Sequence, residues 1–178
     1  MSQSRRIRSS EHLYTAARFT IERRTIQLAN GSNHSREVIQ HPGAVVILPL
    51  VDDDHVCLIR NYRMAIDVEL LELPAGTLEP PEPPIETAQR ELIEETGYRC
   101  ESIEPLGEFY MSPGILNEKM YAFVARGLTA GEQALEEGEQ IQTQVMSFAE
   151  IDSLLRAGKL QDSKTLSALL LFQRKTQN

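Results

Sequence analysis

The sequence predicts an α/β fold: a mixed sandwich of strands and helices, with a β-hairpin extension at its N-terminus. Three observations lead there. "GAVVILPLV" at 43–51 is a β-branched run with little alternation, as expected of a strand buried on both faces. "IETAQRELIEET" at 85–96 carries Ile85, Ala88, Leu92 and Ile93 as an apolar stripe at helical spacing. Strand-like and helix-like segments then interleave to the end of the chain with no internal repeat. A chain of 178 residues suits one domain with a sizeable core. We divide it into an N-terminal extension at 1–41, a dimerisation element, and a main domain at 42–178.

Residues 1–12 are polar and are expected to fray. "FTIERRTIQL" (19–28) and "REVIQH" (36–41) read as the hairpin, joined by the turn-rich "ANGSNHS". After the run at 43–51, "DDD" turns the chain into the strands "HVCLIRNYR" (55–63) and "VELLEL" (68–73). "PAG" at 74–76 breaks the pattern. The loop "TLEPPEPP" (77–84) holds four prolines, the last placed for the first turn of the helix, where its missing N–H is not needed. Gly97 is placed to end that helix in a left-handed conformation. Strands follow at about 103–110, 119–125 and 141–146. Ser147 and Glu150 have capping-box spacing for the helix "FAEIDSLLRAG", and Asp162 or Ser163 can start a last helix ending near Arg174.

Net charge is −8 and the pI about 5.1, which argues against a nucleic-acid partner. Cys57 and Cys100 are the only cysteines and lack CxxC spacing, so neither a zinc site nor a disulfide framework is expected. The basic "SRRIR" is followed by no apolar stretch of signal-peptide type, and the longest apolar run is too short for a bilayer. The expectation is a cytoplasmic protein with no membrane partner. His12, His34, His41 and His55 have no motif context and read as structural or surface residues.

"RELIEETG" (90–97) is the stretch on which function turns. Glu91 and Glu95 are four apart and stack on one helix face, with Glu94 three from Glu91. Like charges at this spacing repel by a few tenths of a kcal/mol, roughly, per exposed pair. A hard divalent cation such as Mg²⁺ or Mn²⁺ would offset that, since it takes oxygen ligands and binds through one or two carboxylates plus substrate phosphates. Alone, an acidic helical triplet is more often a solvated face.

The wider spacing changes the odds. Gly76 is followed by five residues and Glu82, then by seven residues and Arg90-Glu91, with Leu92, Glu94, Glu95, Gly97 and Tyr98 completing the series. This stretch resembles the Nudix hydrolase signature at every fixed position. Seven invariant letters at about 1 in 15 each give a chance match somewhere in the chain on the order of one in a million. The resemblance implies a Nudix-type α/β/α sandwich around a mixed β-sheet. It implies Glu91, Glu95 and Glu94 as metal ligands, joined by the carbonyl of Ala75, with Gly76, Glu82, Arg90 and Gly97 as structural parts of the motif. Glu82 is expected to pair with Arg90 and pin loop to helix.

"RNYR" (60–63), "ELPAG" (72–76) and Pro113 in "MSPGILNEK", 16 residues after Gly97, resemble the ADP-ribose pyrophosphatase branch of that family. One departure is Asn61, where the branch usually has Gln. The resemblance implies hydrolysis of a nucleoside diphosphate linked to another moiety, here ADP-ribose to AMP and ribose 5-phosphate. Arg63 would contact phosphate. Glu72, Pro113 and Glu118 would serve substrate, with Glu72 alternatively an ordinary edge-strand charge and Glu118 alternatively a further metal ligand. The acidic loop "EEGEQ" (136–140) falls where related enzymes carry a catalytic glutamate. Glu139 is the first choice as general base, then Glu137, with Glu95 also in the catalytic set. The alternatives are another nucleotide-sugar pyrophosphatase, acting for example on GDP-mannose, or a nucleotide-binding module that does not cleave. Relatives of this branch exchange N-terminal segments, so a homodimer is expected, with Arg23 or Arg24 reaching the neighbour's site.

Overall fold

The computed structural model describes residues 6–135 and 138–176. The chain forms two compact units, one of residues 1–43 with 110–119, the other of 44–109 with 120–178.

The first unit is built on a three-stranded antiparallel sheet of β1 (Ile7–Thr15), β2 (Thr20–Gln27) and β3 (Asn33–Gln40), in that order. This corrects the expectation of a frayed start and a two-stranded hairpin. All nine residues of β1 are exposed, so burial leaves no alternation in its sequence. What holds β1 is its ladder to β2 and polar cross-strand pairs: Arg23 to Glu11 at 3.0 Å, Ser10 to Glu22 at 2.7 Å and Arg8 to Gln27 at 2.8 Å. Such pairs contribute only about 0.2–1 kcal/mol each, and pattern reading does not see them.

The second unit carries two sheets. One is ordered β7-β4-β9-β8, from β4 (Ala44–Pro49), β7 (Ala75–Thr77), β8 (Ser102–Tyr110) and β9 (Lys119–Arg126). It is mixed: β4 runs parallel to β9 and antiparallel to β7. All six residues of β4 are buried, as an interior strand requires. The other sheet is antiparallel, β10 (Ile141–Ser147), β5 (His55–Arg63) and β6 (Val68–Glu72). The short strand β7 lies within the segment read as a pattern break. Three residues are too few to show a period, and only its pairing with β4 makes them a strand.

Helix α1 (Pro84–Thr96) starts on Pro84 and ends at Gly97, whose φ of 75° is the left-handed cap conformation. Ala88 and Leu92 pack on Val45 and Ile47 of β4 and Phe123 and Ala125 of β9. A leucine buried this fully contributes about 1.5–3 kcal/mol by leaving water. Ile85, counted in the predicted stripe, is 41% exposed; Thr87 takes the inward place in the first turn. Helix α2 (Phe148–Arg156) has the predicted capping box, Ser147 with Glu150. Helix α3 (Ser163–Thr176) is capped by Asp162, which accepts the Thr165 N–H at 2.9 Å. Cys57 and Cys100 are both free thiols, and burial pushes Cys57 up to about 12. Among the described residues no helix is long and apolar enough to cross a membrane.

Candidate functional site

The register of β7 on β4 places Gly76 opposite Val45, and β7 packs against α1. A Cβ at Gly76 would stand 1.9 Å from the carboxyl carbon of Glu91. Glycine here leaves the room that the Glu91 carboxylate occupies, and a larger residue would have to displace it. Next to it, the Ala75 N–H donates to Glu95 Oε2 at 2.8 Å. Backbone and helix thus lock together at the two positions four apart.

The helix does not present these acids to solvent as the spacing suggests. Glu95 is only 4% exposed. Burial raises its pKa to about 8, against the lowering effect of the Ala75 hydrogen bond, with Glu91 and Glu139 adding repulsion. Glu91 is raised to about 7, again chiefly by burial and despite Arg90. Arg90 is the hub of the remaining charges. It donates to Glu91 at 2.9 Å, Glu94 at 2.8 Å and Glu82 at 3.3 Å. Burial opposes its charge, but these carboxylates hold it firmly protonated. The Glu82–Arg90 contact links the proline-rich loop to the helix, and the Thr87 hydroxyl supports Glu82 at 2.8 Å.

Arg63 and Glu72 form a second centre. Glu72 is fully buried, so the reading of an edge-strand charge is corrected: β6 is an edge strand, but α3 covers the end where Glu72 sits. Its carboxylate accepts both prongs of the Arg63 fork, Nε at 2.8 Å and Nη2 at 2.5 Å. It also accepts Lys164 Nζ at 2.5 Å, and Lys164 reaches Asp162 at 2.9 Å. The Glu72 hydrogen bonds hold Arg63 protonated, and Asp162 and Glu95 add to that across space. Arg63 is therefore close enough to the box carboxylates to feel Glu95. Lys164 and Thr165 escaped the sequence reading, which took Asp162 only as a helix start. A lysine and an aspartate two apart at a helix N-terminus carry no motif signal.

Glu139 lies just before β10, whose first residue pairs with Asn61 of β5. The other end of its loop is tied to the end of α1: the Ala134 N–H donates to the Glu94 carbonyl at 3.0 Å. Both anchors bring Glu139 toward the helix, and its charge acts on Glu91 and Glu95 alike. Glu137 lies outside the described residues. Pro113 and Glu118 belong to the first unit. Pro113 occupies an exposed turn in which the Ser112 carbonyl accepts the Ile115 N–H at 3.0 Å, and Glu118 lies 3.8 Å from His41 Nδ1.

Among the described residues no three Asp, Glu, His or Cys side chains form a ready-made metal cage. The donor set is half-buried Glu91 and buried Glu95, all oxygen, with raised pKa values that a cation would relieve. Those are the features of a site for a hard divalent ion that completes its shell with substrate and water. A separate cleft between α2 and α3, lined by Phe148, Ile151, Leu155, Leu166 and Leu169, is apolar and contains none of these groups.

Comparison with known proteins gives a consistent picture. The NUDIX domain family model matches residues 40–169. The ADP-ribose pyrophosphatase of Bacillus subtilis (strain 168) is 34% identical over 152 residues, covering 84% of this chain and 82% of that one. The methanol dehydrogenase activator of Bacillus methanolicus is 34% identical over 166 residues, with 92% and 90% covered. The GDP-mannose pyrophosphatase of Cronobacter sakazakii (strain ATCC BAA-894) is 36% identical over 150 residues, with 79% and 78% covered. A crystal structure titled as an ADP compounds hydrolase aligns with a TM-score of 0.83 at 28% identity, covering 96% of this chain and 93% of its own.

Proposed function

This chain belongs to the NUDIX family and is a hydrolase, and on that premise we propose that it cleaves the diphosphate of ADP-ribose to AMP and ribose 5-phosphate. The observation that carries the reading is the pairing of two centres: half-buried Glu91 and buried Glu95 on α1, and the Arg63 guanidinium within electrostatic reach of Glu95. One centre suits a cation and the other suits a phosphate. Glu91 and Glu95, with Glu94 and the Ala75 carbonyl as further ligands, would hold Mg²⁺ or Mn²⁺, which would supply neutralisation of the diphosphate charge and activation of water.

The chain's own groups do the rest. Arg63, fixed on Glu72 through Nε and Nη2, orients the substrate by offering the exposed remainder of its guanidinium to phosphate oxygens. Glu139 accepts the proton of the water that attacks phosphorus, and the departing phosphate is the leaving group. Glu82 and Arg90 keep loop and helix in register. A complete set of box glutamates speaks for catalysis over mere nucleotide binding.

The test is a panel assay of the purified protein with Mg²⁺ or Mn²⁺. ADP-ribose is expected to give the highest kcat/KM. A preference for GDP-mannose would move the protein to that substrate, which a 36% identical relative bears in its name. Equal or better turnover of a nucleoside triphosphate would end the branch assignment and leave the family untouched. The protein is further proposed to be a homodimer through its N-terminal sheet, which exposes Ile7, Leu13, Tyr14, Phe19 and Leu28. Arg23 and Arg24, the residues proposed to reach the neighbour's site, lie on the same sheet. Light scattering should return twice the 20.1 kDa chain mass, and a monomer would refute the proposal.

A further inference from the structure

We infer that Lys164 is a positioning residue that keeps the exposed part of the Arg63 guanidinium, the part not bound by Glu72, available to an anionic substrate, acting through their shared carboxylate, Glu72. The inference rests on Arg63 being the phosphate contact. Glu72 Oε2 accepts from Arg63 Nη2 and from Lys164 Nζ, so one oxygen serves both cations. Lys164 is itself only 9% exposed and bridges onward to Asp162 Oδ1. The second Asp162 oxygen accepts the Thr165 N–H and hydroxyl, which fixes it to the first turn of α3. Thr165 Oγ1 in turn accepts the Leu73 N–H at 2.7 Å, two residues before the Ala75 contact to Glu95.

The cluster therefore contains two cations and two carboxylates, balanced in charge. Glu72, Asp162 and Lys164 are buried, whereas the Arg63 side chain is 39% exposed. Arg63 is the member through which the cluster meets solvent. Removing the Lys164 charge would leave Arg63 facing two buried carboxylates, a net negative group where an anionic diphosphate has to bind. A buried charge that loses its partner is strongly unfavourable, and Arg63 would be drawn in to compensate. The consequence falls on substrate binding and spares the proton transfer to Glu139.

The experiment uses the full chain with Mg²⁺ and ADP-ribose, or with whichever nucleoside diphosphate compound proves its substrate. Lys164→Met is expected to raise KM by about tenfold with kcat within about threefold, the pattern of a lost binding interaction. Lys164→Arg, which keeps the charge, should restore most of the loss. Because Lys164 acts through Arg63, Lys164→Met should add little to KM in an Arg63→Met background. If Lys164→Met does not fold, Lys164→Gln replaces it, with the same expectation. A folded Lys164 variant that loses thermal stability but keeps wild-type KM overturns the inference, and Arg63→Met then still raises KM if Arg63 contacts substrate. Fully additive KM effects overturn it too. An unchanged KM in Arg63→Met removes the phosphate contact and this inference together.

Discussion

Two charge clusters in the second unit mirror each other. Around Arg90, one cation is shared by four carboxylates, Glu82, Glu91, Glu94 and, at 4.0 Å, Glu79, with Glu95 buried beside them. Around Glu72, one carboxylate is shared by two cations, Arg63 and Lys164. The first cluster has an excess of negative charge held partly out of water, and the two most buried acids respond with pKa values of about 7 and 8. The second is balanced by Asp162 and opens to solvent through its guanidinium. A diphosphate hydrolase needs both, because its substrate is an anion and its helper ion a cation. The difference teaches that the first cluster carries an excess charge that a cation would offset, whereas the second is neutral and offers a partly exposed guanidinium.

The largest break in that contrast is Glu95→Gln. The amide keeps an oxygen to accept the Ala75 N–H, so the fold should survive. Turnover should fall by roughly 10³-fold or more, as should turnover of the wild type in excess chelator. Full activity in chelator would sink the cation role of the acidic cluster.

Glu139→Gln sharpens the comparison, since Glu139 repels the cluster electrostatically yet stands outside the helix. Loss of a general base should lower kcat by about 10²–10⁴-fold with little change in KM. Affinity for Mn²⁺, measured by titration calorimetry, should stay near wild type, unlike in Glu95→Gln. A near-normal kcat would direct the search for the base to Glu118, Glu72 and the box glutamates.

Gly76→Ala attacks the cluster through the backbone. The added methyl meets the Glu91 carboxylate at 1.9 Å and must displace it. We expect about a 10²-fold loss of kcat/KM, in keeping with a small misplacement in a catalytic site. A fully active Gly76→Ala would mean that Glu91 need not lie where it does.

The smallest effect is on stability. Glu91 and Glu95 have folded pKa values raised above the ordinary 4.5. Between about pH 4.5 and 8 the folded protein thus holds protons that the unfolded chain releases. Their contribution makes the metal-free protein less stable as pH rises through that window. Thermal unfolding in chelator should show a lower Tm at pH 8.5 than at pH 5.5, by about 2–4 °C for each kcal/mol involved. Mg²⁺ should reverse the loss, and Glu95→Gln should flatten it. A metal-free Tm that climbs steadily to pH 8.5 would contradict the burial of these acids.

The family, the α/β class and the main helices were determined by sequence alone. The motif works through fixed spacing along the chain, and caps such as Ser147 with Glu150 are local hydrogen bonds, so both survive without knowledge of the rest of the fold. The buried strand β4 was legible because six apolar residues in succession have few other homes. Strands β1 and β7 were not, since one has no buried face and the other is too short to have a period. Only the tertiary structure decided that Gly76 makes room for Glu91, that Glu95 is buried rather than presented, and that Glu72 and Lys164 meet across 92 residues of chain. The reason is physical. Periodicity reports which face of an element is apolar, whereas desolvation and charge pairing depend on which other element covers it.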